Sequence, residues 1–261
     1  LSGGPPCQGH SDLNNHTRRG DPRNSLYLRM VRAAEILEPN AVIIENVSTV
    51  VHSKERVVQT AVRELERIGY KVKTNILWAN KFGVPQKRKR HFLIASKFGE
   101  PNFEALERFE LPKDNTLRWA IEDLSSVYCS EETYNSSSKP SKENQRRMNW
   151  LIDNEEWDLP NEHRPPCHQQ GHNYPAVYGR MHWDRPSSTI TGGFSSTGQG
   201  RFMHPSAKPG RTITPHEAAR IQTFPDWFNF QGQLRGAMSK MIGNAVPPLL
   251  GIYIAAVAID T

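Results

Sequence analysis

The chain has 261 residues, 36% of them hydrophobic, with 33 Lys and Arg against 27 Asp and Glu for a formal net charge of +6. That is room for one large domain or two small ones, and no run approaches the roughly 20 apolar residues that a bilayer-spanning helix needs. Three cysteines, Cys7, Cys129 and Cys167, argue against a disulfide framework and for a reducing, cytosolic setting in which a thiol stays free. The charge is unevenly placed: residues 1–99 carry 17 Lys and Arg against 8 Asp and Glu, residues 100–162 carry 7 against 15, and residues 163–261 carry 9 against 4. A polyanionic partner would touch the first and third blocks and avoid the middle one, although a solvated surface would look the same. No signal peptide is visible, and a first residue of Leu1 is read as a start that is not the natural one.

Residues 24–38 predict a helix with an apolar stripe at Leu26, Met30, Ala33, Ala34 and Leu37. The run 41–45 predicts a short buried strand. A second amphipathic helix follows over 54–68, with Val58, Ala61, Val62, Leu65 and Ile68 on one side and Gly69 where a helix C-cap belongs. Strands are expected near 71–79 and 90–96, and the alternation of strand and helix implies a parallel sheet flanked by helices. Residues 130–145, rich in Ser, Glu, Lys and Asn, read as a loop. Residues 160–211, dense in Gly, Pro, His and Ser, read as an irregular region with short strands. Thr214-Pro215-His216-Glu217 is a capping box opening a helix that runs to about Gln222, and 247–259 forms an apolar helix opened by prolines.

Four short stretches carry residues suited to chemistry. Gly3-Gly4-Pro5-Pro6-Cys7-Gln8-Gly9 follows a strand end, where open α/β sheets bind ligands, and nearby cations there would populate the Cys7 thiolate. Glu45-Asn46-Val47 closes the strand at 41–44 and puts a carboxylate at the same sheet edge, placed to act as an acid. In Gln86-Lys87-Arg88-Lys89-Arg90, alternation puts Gln86, Arg88 and Arg90 on one side and the lysines on the other. Gly243-Asn244-Ala245-Val246-Pro247-Pro248 reads as a turn into a helix, with Asn244 near the helix N-terminus. Each alone has a plainer explanation as a turn, a strand end, a solvated basic run or a loop. His163, Cys167, His168 and His172 match no zinc spacing, and Pro165-Pro166 interrupts them, so no metal is expected.

In this order the four stretches resemble the DNA (cytosine-5)-methyltransferase family of the bacterial and phage type: nucleophile loop, acid motif, arginine motif and closing motif. Arg211 to Asp226 resembles the element that braces the family's target domain, and Thr189-Ile190 resembles the Thr-aliphatic pair at that domain's centre. The resemblance covers nearly the whole chain except about 100–175. It implies a Rossmann-like α/β methyltransferase sheet, incomplete at its N-terminus, over 1–98 and 240–261, and a small irregular, mostly β target recognition domain over 99–239. It implies that Cys7 attacks cytosine C6, that Glu45 bonds the N3 side of the base, and that Arg90, with Arg88, binds the base carbonyl and holds Glu45. Pro6, Leu26 and Asn244 match positions that contact S-adenosylmethionine. Gln8, Ser11, Arg18, Arg19, Gln86, Thr189, Thr191, Gly192, Gly193 and Arg201 are the candidates for DNA contact.

The family's Phe-x-Gly-x-Gly donor loop is not found, so the resemblance implies that a preceding segment or a second polypeptide completes the donor site. The implied partner is double-stranded DNA, met by a monomer in the bacterial cytoplasm, on the nucleoid, in a restriction-modification or phage setting. The rival readings are a tRNA cytosine-5 methyltransferase, whose Cys-Phe-Thr signature is not found, and a non-catalytic DNA-binding remnant.

Overall fold

The structure, a computed structural model, describes residues 1–6, 25–169, 176–230 and 232–259. In chain order the elements are β1 (Ser2–Gly3), α1 (Tyr27–Leu37), β2 (Ala41–Val47), α2 (Val57–Arg67), β3 (Lys71–Trp78), β4 (Gln86–Lys87), β5 (Lys89–Ser96), α3 (Leu117–Ile121), α4 (Lys142–Asp153), α5 (Pro166–Gln169), β6 (Ser187–Ser188), α6 (Pro215–Ile221), α7 (Arg235–Asn244) and α8 (Pro248–Ile259), with short 3-10 turns between some of them. Contacts divide the chain into two units. The first holds residues 1–82, 89–111 and 250–261, and the second holds 83–88 and 112–249. Expected boundaries at 99 and 240 thus fall at 112 and 250, and the short segment 83–88 goes with the second unit.

In the first unit four strands lie in the order β1-β2-β5-β3. β1 and β2 are parallel, but β5 runs antiparallel to both β2 and β3, so the sheet is mixed where a parallel one was expected. The reason is the connection between β3 and β5. A parallel pairing needs a crossover of a dozen or more residues, usually helical, and 79–88 offers only a 3-10 turn and two strand residues. β2 and β3 are joined through α2, and β5 fills the place between them.

Alternation along β2 buries Val42, Ile44 and Asn46. Val42 and Ile44 face Ala95 and Leu93 of β5 across the ladder. These side chains join Tyr27, Val31 and Ala34 of α1 and Val57, Val58, Ala61 and Leu65 of α2 in one core cluster. Each fully buried aliphatic side chain there contributes roughly 1.5–3 kcal/mol relative to exposure. Gly69, at φ +93°, ends α2 as expected: its N–H reaches the Glu66 carbonyl at 3.0 Å, and the Tyr70 N–H reaches the Leu65 carbonyl at 3.1 Å.

The second unit is built differently. Its core joins Leu117 and Ile121 of α3, Ile190 and Phe194, Ile213, Ala218 and Ile221 of α6, and Met238 and Ile242 of α7. The capping box forms as the sequence predicts: the Glu217 N–H donates to Thr214 Oγ1 at 3.1 Å, and the Thr214 N–H donates to Glu217 Oε2 at 2.8 Å. Four helices were not foreseen: α3, α4, α5 and α7. α4 begins inside the expected loop, with Ser141 Oγ accepting from the Asn144 N–H at 3.2 Å. α7 occupies 235–244, so Asn244 ends one helix instead of opening the next.

A mostly β second domain is also corrected. Among the described residues it holds only β4 paired with β6 and two isolated bridges, beside five helices. The β4–β6 ladder is two residues long because Pro85 and Pro186 stand immediately before the two strands and bring no N–H to extend it.

Candidate active site

Parallel pairing of β1 with β2 brings the chain out at Gly4-Pro5 beside the carboxyl end of β2. Asn46, 1% exposed, donates from Nδ2 to the Pro5 carbonyl at 3.1 Å and accepts the Val47 N–H on Oδ1 at 2.9 Å. The loop that leads to Cys7 is therefore tied to the strand that carries Glu45. Gly4 leaves little room above that carboxylate: a Cβ built there would lie 3.3 Å from Glu45 Oε2.

Val47 faces Arg90 and Glu45 faces Phe92 across the antiparallel ladder. Glu45 and Arg90 are thus diagonal neighbours on one face of the sheet. Arg90 Nε lies 2.9 Å from Glu45 Oε1, with 16% and 13% of the two side chains exposed. This is a partly desolvated ion pair with one edge open. On the opposite face, His91 faces Asn46 and is 1% exposed. Burial lowers its pKa to about 4, so the ring is neutral at pH 7.

Gln86 and Arg88 point to the same side, as alternation predicts, but inward. Gln86 is fully buried: its Oε1 accepts the Ile190 N–H at 2.8 Å, and its Nε2 donates to Gln222 Oε1 at 2.8 Å. Gln222, also fully buried, donates to the Ile242 carbonyl at 2.6 Å. Arg88, 2% exposed, donates to the carbonyls of Ile190 at 3.1 Å and Gly243 at 3.2 Å. A direct DNA contact by Gln86 is therefore corrected, since its carboxamide is enclosed and already bonded. Arg88 likewise donates to two backbone carbonyls, whereas Arg90 pairs with Glu45.

Arg201 is engaged within the second unit. Its guanidinium donates to the Trp157 carbonyl at 3.0 Å and the Arg180 carbonyl at 2.9 Å, and it pairs with Asp158. It packs so closely on Gly179 that a Cβ there would sit 2.7 Å from its Cζ. Those bonds tie Nη1 and Nη2 of Arg201 into the second unit.

The other target-region candidates remain accessible. Thr189, half-buried, donates to the Lys87 carbonyl at 2.9 Å. Thr191 Oγ1 accepts the Gly193 N–H at 3.3 Å. Gly192 and Gly193 line an open cleft of about 230 Å³ with Ser195, Gln199, Arg235 and Ser239. Gln199 and Arg235 were missed because a lone polar residue in a Gly-Ser loop and one at a helix start give no pattern. Arg235 donates from Nη2 to Ser136 Oγ at 2.8 Å, a contact across 99 residues of sequence.

Arg211 and Glu217 brace α6. The guanidinium meets Oε2 at 2.8 Å and Oε1 at 2.7 Å, with the carboxylate 1% exposed. His204 stands beside them, its Nδ1 accepting the N–H groups of Ser206 and Ala207 at 3.2 and 3.0 Å. Burial lowers its pKa to about 4, against the opposing pull of Glu217. Its proton therefore sits on Nε2, 3.6 Å from Glu217 Oε1, and the pair is not ionic at pH 7.

Of the donor-site candidates, Pro6 is exposed, Leu26 is half-buried as the N-cap of α1, and Asn244 is exposed at the end of α7. Of the residues weighed as metal ligands, His163 packs on Trp150, His168 packs edge-on to Tyr178, and Cys167 is exposed. Cys7, Gln8, Ser11, Arg18, Arg19 and His172 lie outside the described residues. No single described helix is long and apolar enough to cross a membrane.

Residues 1–259 match the model of the family described as C-5 cytosine-specific DNA methylase. The chain is 47% identical to the Type II methyltransferase M1.BsuMI of Bacillus subtilis, covering 98% of this chain and 59% of that protein. It is 34% identical to the Type II methylase M.HgiDII of Herpetosiphon aurantiacus, covering 98% and 74%. In structure it resembles a protein described as a DNA modification methyltransferase encoded in an E. coli prophage, with a TM-score of 0.68, 22% identity and 99% and 78% of the chains covered. The S. pombe Dnmt2 methyltransferase is similar at a TM-score of 0.63, 17% identity and 99% and 76% coverage. The chain thus spans between three-fifths and three-quarters of the length of the two curated relatives.

Proposed function

The chain belongs to the C-5 cytosine-specific DNA methylase family, and on that premise we propose that the complete protein methylates C5 of a cytosine held in one short recurring DNA sequence. The observation that carries this reading is the Glu45–Arg90 pair at 2.9 Å, set at the same sheet edge as the loop leading to Cys7. C5 of cytosine is a weak nucleophile, so the ring must first be activated. The target base leaves the duplex at a cost of a few kcal/mol. The Cys7 thiolate adds to C6, and the electron pair moves toward C5. Glu45 bonds the N3 side of the ring, where charge develops, and Arg90 holds both the base carbonyl and the Glu45 carboxylate. S-adenosylmethionine, when bound, supplies the methyl group, and Pro6, Leu26 and Asn244 would form part of its site. Loss of the C5 proton then expels the Cys7 thiolate and restores the aromatic ring.

The net positive third block and the half-buried glycine-serine loop at 191–199, which lines an open cleft, support DNA as the substrate. The Type II relatives support a restriction-modification setting in a bacterial cytoplasm. Bisulfite sequencing of plasmid from cells expressing the complete gene should show protected cytosines in a single short motif. The complete protein should also trap covalently on DNA carrying 5-fluorocytosine, and Cys7→Ser should lose the trapped species. Methyl transfer to tRNA but not to DNA would overturn the reading, and so would DNA binding with no transfer to either.

A further inference from the structure

The segment at the centre of the second unit's target loop is held by its backbone, from both sides, by side chains that are out of solvent. The Ile190 N–H donates to Gln86 Oε1 at 2.8 Å, and the Ile190 carbonyl accepts from Arg88 at 3.1 Å. Because Ile190 N is only a donor, Gln86 must turn its Oε1 toward it, which aims Nε2 at Gln222 Oε1, 2.8 Å away. Gln222 in turn must aim Nε2 at the Ile242 carbonyl, 2.6 Å away. The two carboxamides have one consistent orientation, running from the target loop to α7.

Register here needs a device of this kind. The β4–β6 ladder pairs only Gln86 with Ser187 and Lys87 with Ser188, and prolines stand before both strands. A two-residue ladder fixes register weakly, and a slip of one residue would exchange buried Ile190 for Thr189 or Thr191. The loop also rests directly on α7, where a Cβ at Gly243 would lie 2.2 Å from the Gly192 nitrogen. Sideways adjustment is closed off once the Ile190 amide is held.

We infer that Gln86 is a positioning residue for site choice. By holding the Ile190 N–H it sets which side chains of residues 189–193 are presented to DNA, without touching DNA itself. The inference rests on the proposed function and deepens it: fidelity toward the recognition sequence depends on a buried carboxamide as well as on the half-buried residues of the loop.

The test uses the complete enzyme and the site that bisulfite sequencing defines, with kcat and KM measured on that site and on sites carrying one substituted base pair. Gln86→Met removes the acceptor and should lower the discrimination ratio about tenfold, the scale of one lost buried hydrogen bond. Gln86→Glu should keep it within about twofold of wild type. A carboxyl buried there is held neutral, accepts from Ile190 on one oxygen and donates to Gln222 from the other. Discrimination unchanged in Gln86→Met, whatever happens to stability or overall rate, overturns the inference and leaves the methyltransferase reading intact. Loss of discrimination in both variants alike overturns it too, since the carboxyl should rescue. No transfer to any DNA by the wild-type enzyme overturns both. If Gln86→Met does not fold, Gln222→Met carries the same comparison, with a loss of about threefold expected because Ile190 keeps its acceptor but the Gln86 amide is free to turn.

Discussion

The two units satisfy their backbones in opposite ways. In the first, ladders of seven pairs between β2 and β5 and eight between β3 and β5 carry the backbone hydrogen bonds of the sheet. The Glu45–Arg90 pair is then placed by strand alternation alone. In the second, the described strands are two residues long, and buried side chains take over the work of the ladder. Gln86, Arg88, Gln222, Arg211 and Glu217 are all at or below 9% exposure, and each bonds a backbone group or a buried partner. A chain rich in Gly and Pro cannot leave buried N–H and carbonyl groups without partners, so it recruits carboxamides and guanidinium groups to supply them.

That difference predicts where substitutions hurt. The largest effect is expected at Glu217→Ala, which leaves the buried Arg211 guanidinium without its carboxylate and removes half of a capping box; a loss of about 3–5 kcal/mol is expected. Peptide-resolved hydrogen exchange should place the loosening in the second unit. Protection lost equally in both units would show that the contrast between them is not energetic.

Acid should come next, and it should reach both units. Burial lowers the pKa of His91 in the first and of His204 in the second to about 4. The unfolded chain binds these protons near pH 6.5 and the folded chain does not. Their contribution is therefore complete above pH 6.5 and falls progressively toward pH 4, by on the order of 3 kcal/mol for each ring. Urea midpoints measured from pH 7.5 to 4 check this, and His91→Leu should flatten part of the slope. An unchanged profile in that variant would mean the ring is not held neutral.

The smallest effect is expected at Arg67→Ala. Its bonds to Glu64 at 2.8 Å and Glu35 at 3.6 Å lie in solvent on the outside of α2. The urea midpoint should not move measurably, because water and salt screen such pairs. A clear drop would remove the contrast between this exposed pair and the buried Arg211–Glu217 pair.

Much of this was legible in the chain itself. A period-3.6 stripe gave α2 and located α1, whose buried face is Tyr27, Val31 and Ala34 with the expected Leu37 exposed; Gly69 and Thr214-to-Glu217 marked helix ends, and the short apolar run gave β2, because each signal is local and set by backbone chemistry. Alternation also placed Gln86, Arg88 and Arg90 on one side and Lys87 and Lys89 on the other. What alternation could not say is whether that side meets a ligand or a core. Gln86 and Arg88 go inward because Ile190, Gln222 and Gly243, more than a hundred residues away in sequence, arrive there with unpaired amide groups. The same limit explains the missed direction of β5, Arg201 turned into the fold, and Asn46 holding Pro5. Sequence determined which residues alternate, cap and break. The tertiary structure alone decided which distant backbone groups each polar side chain must satisfy, because a buried peptide group has to find a partner wherever the fold puts it.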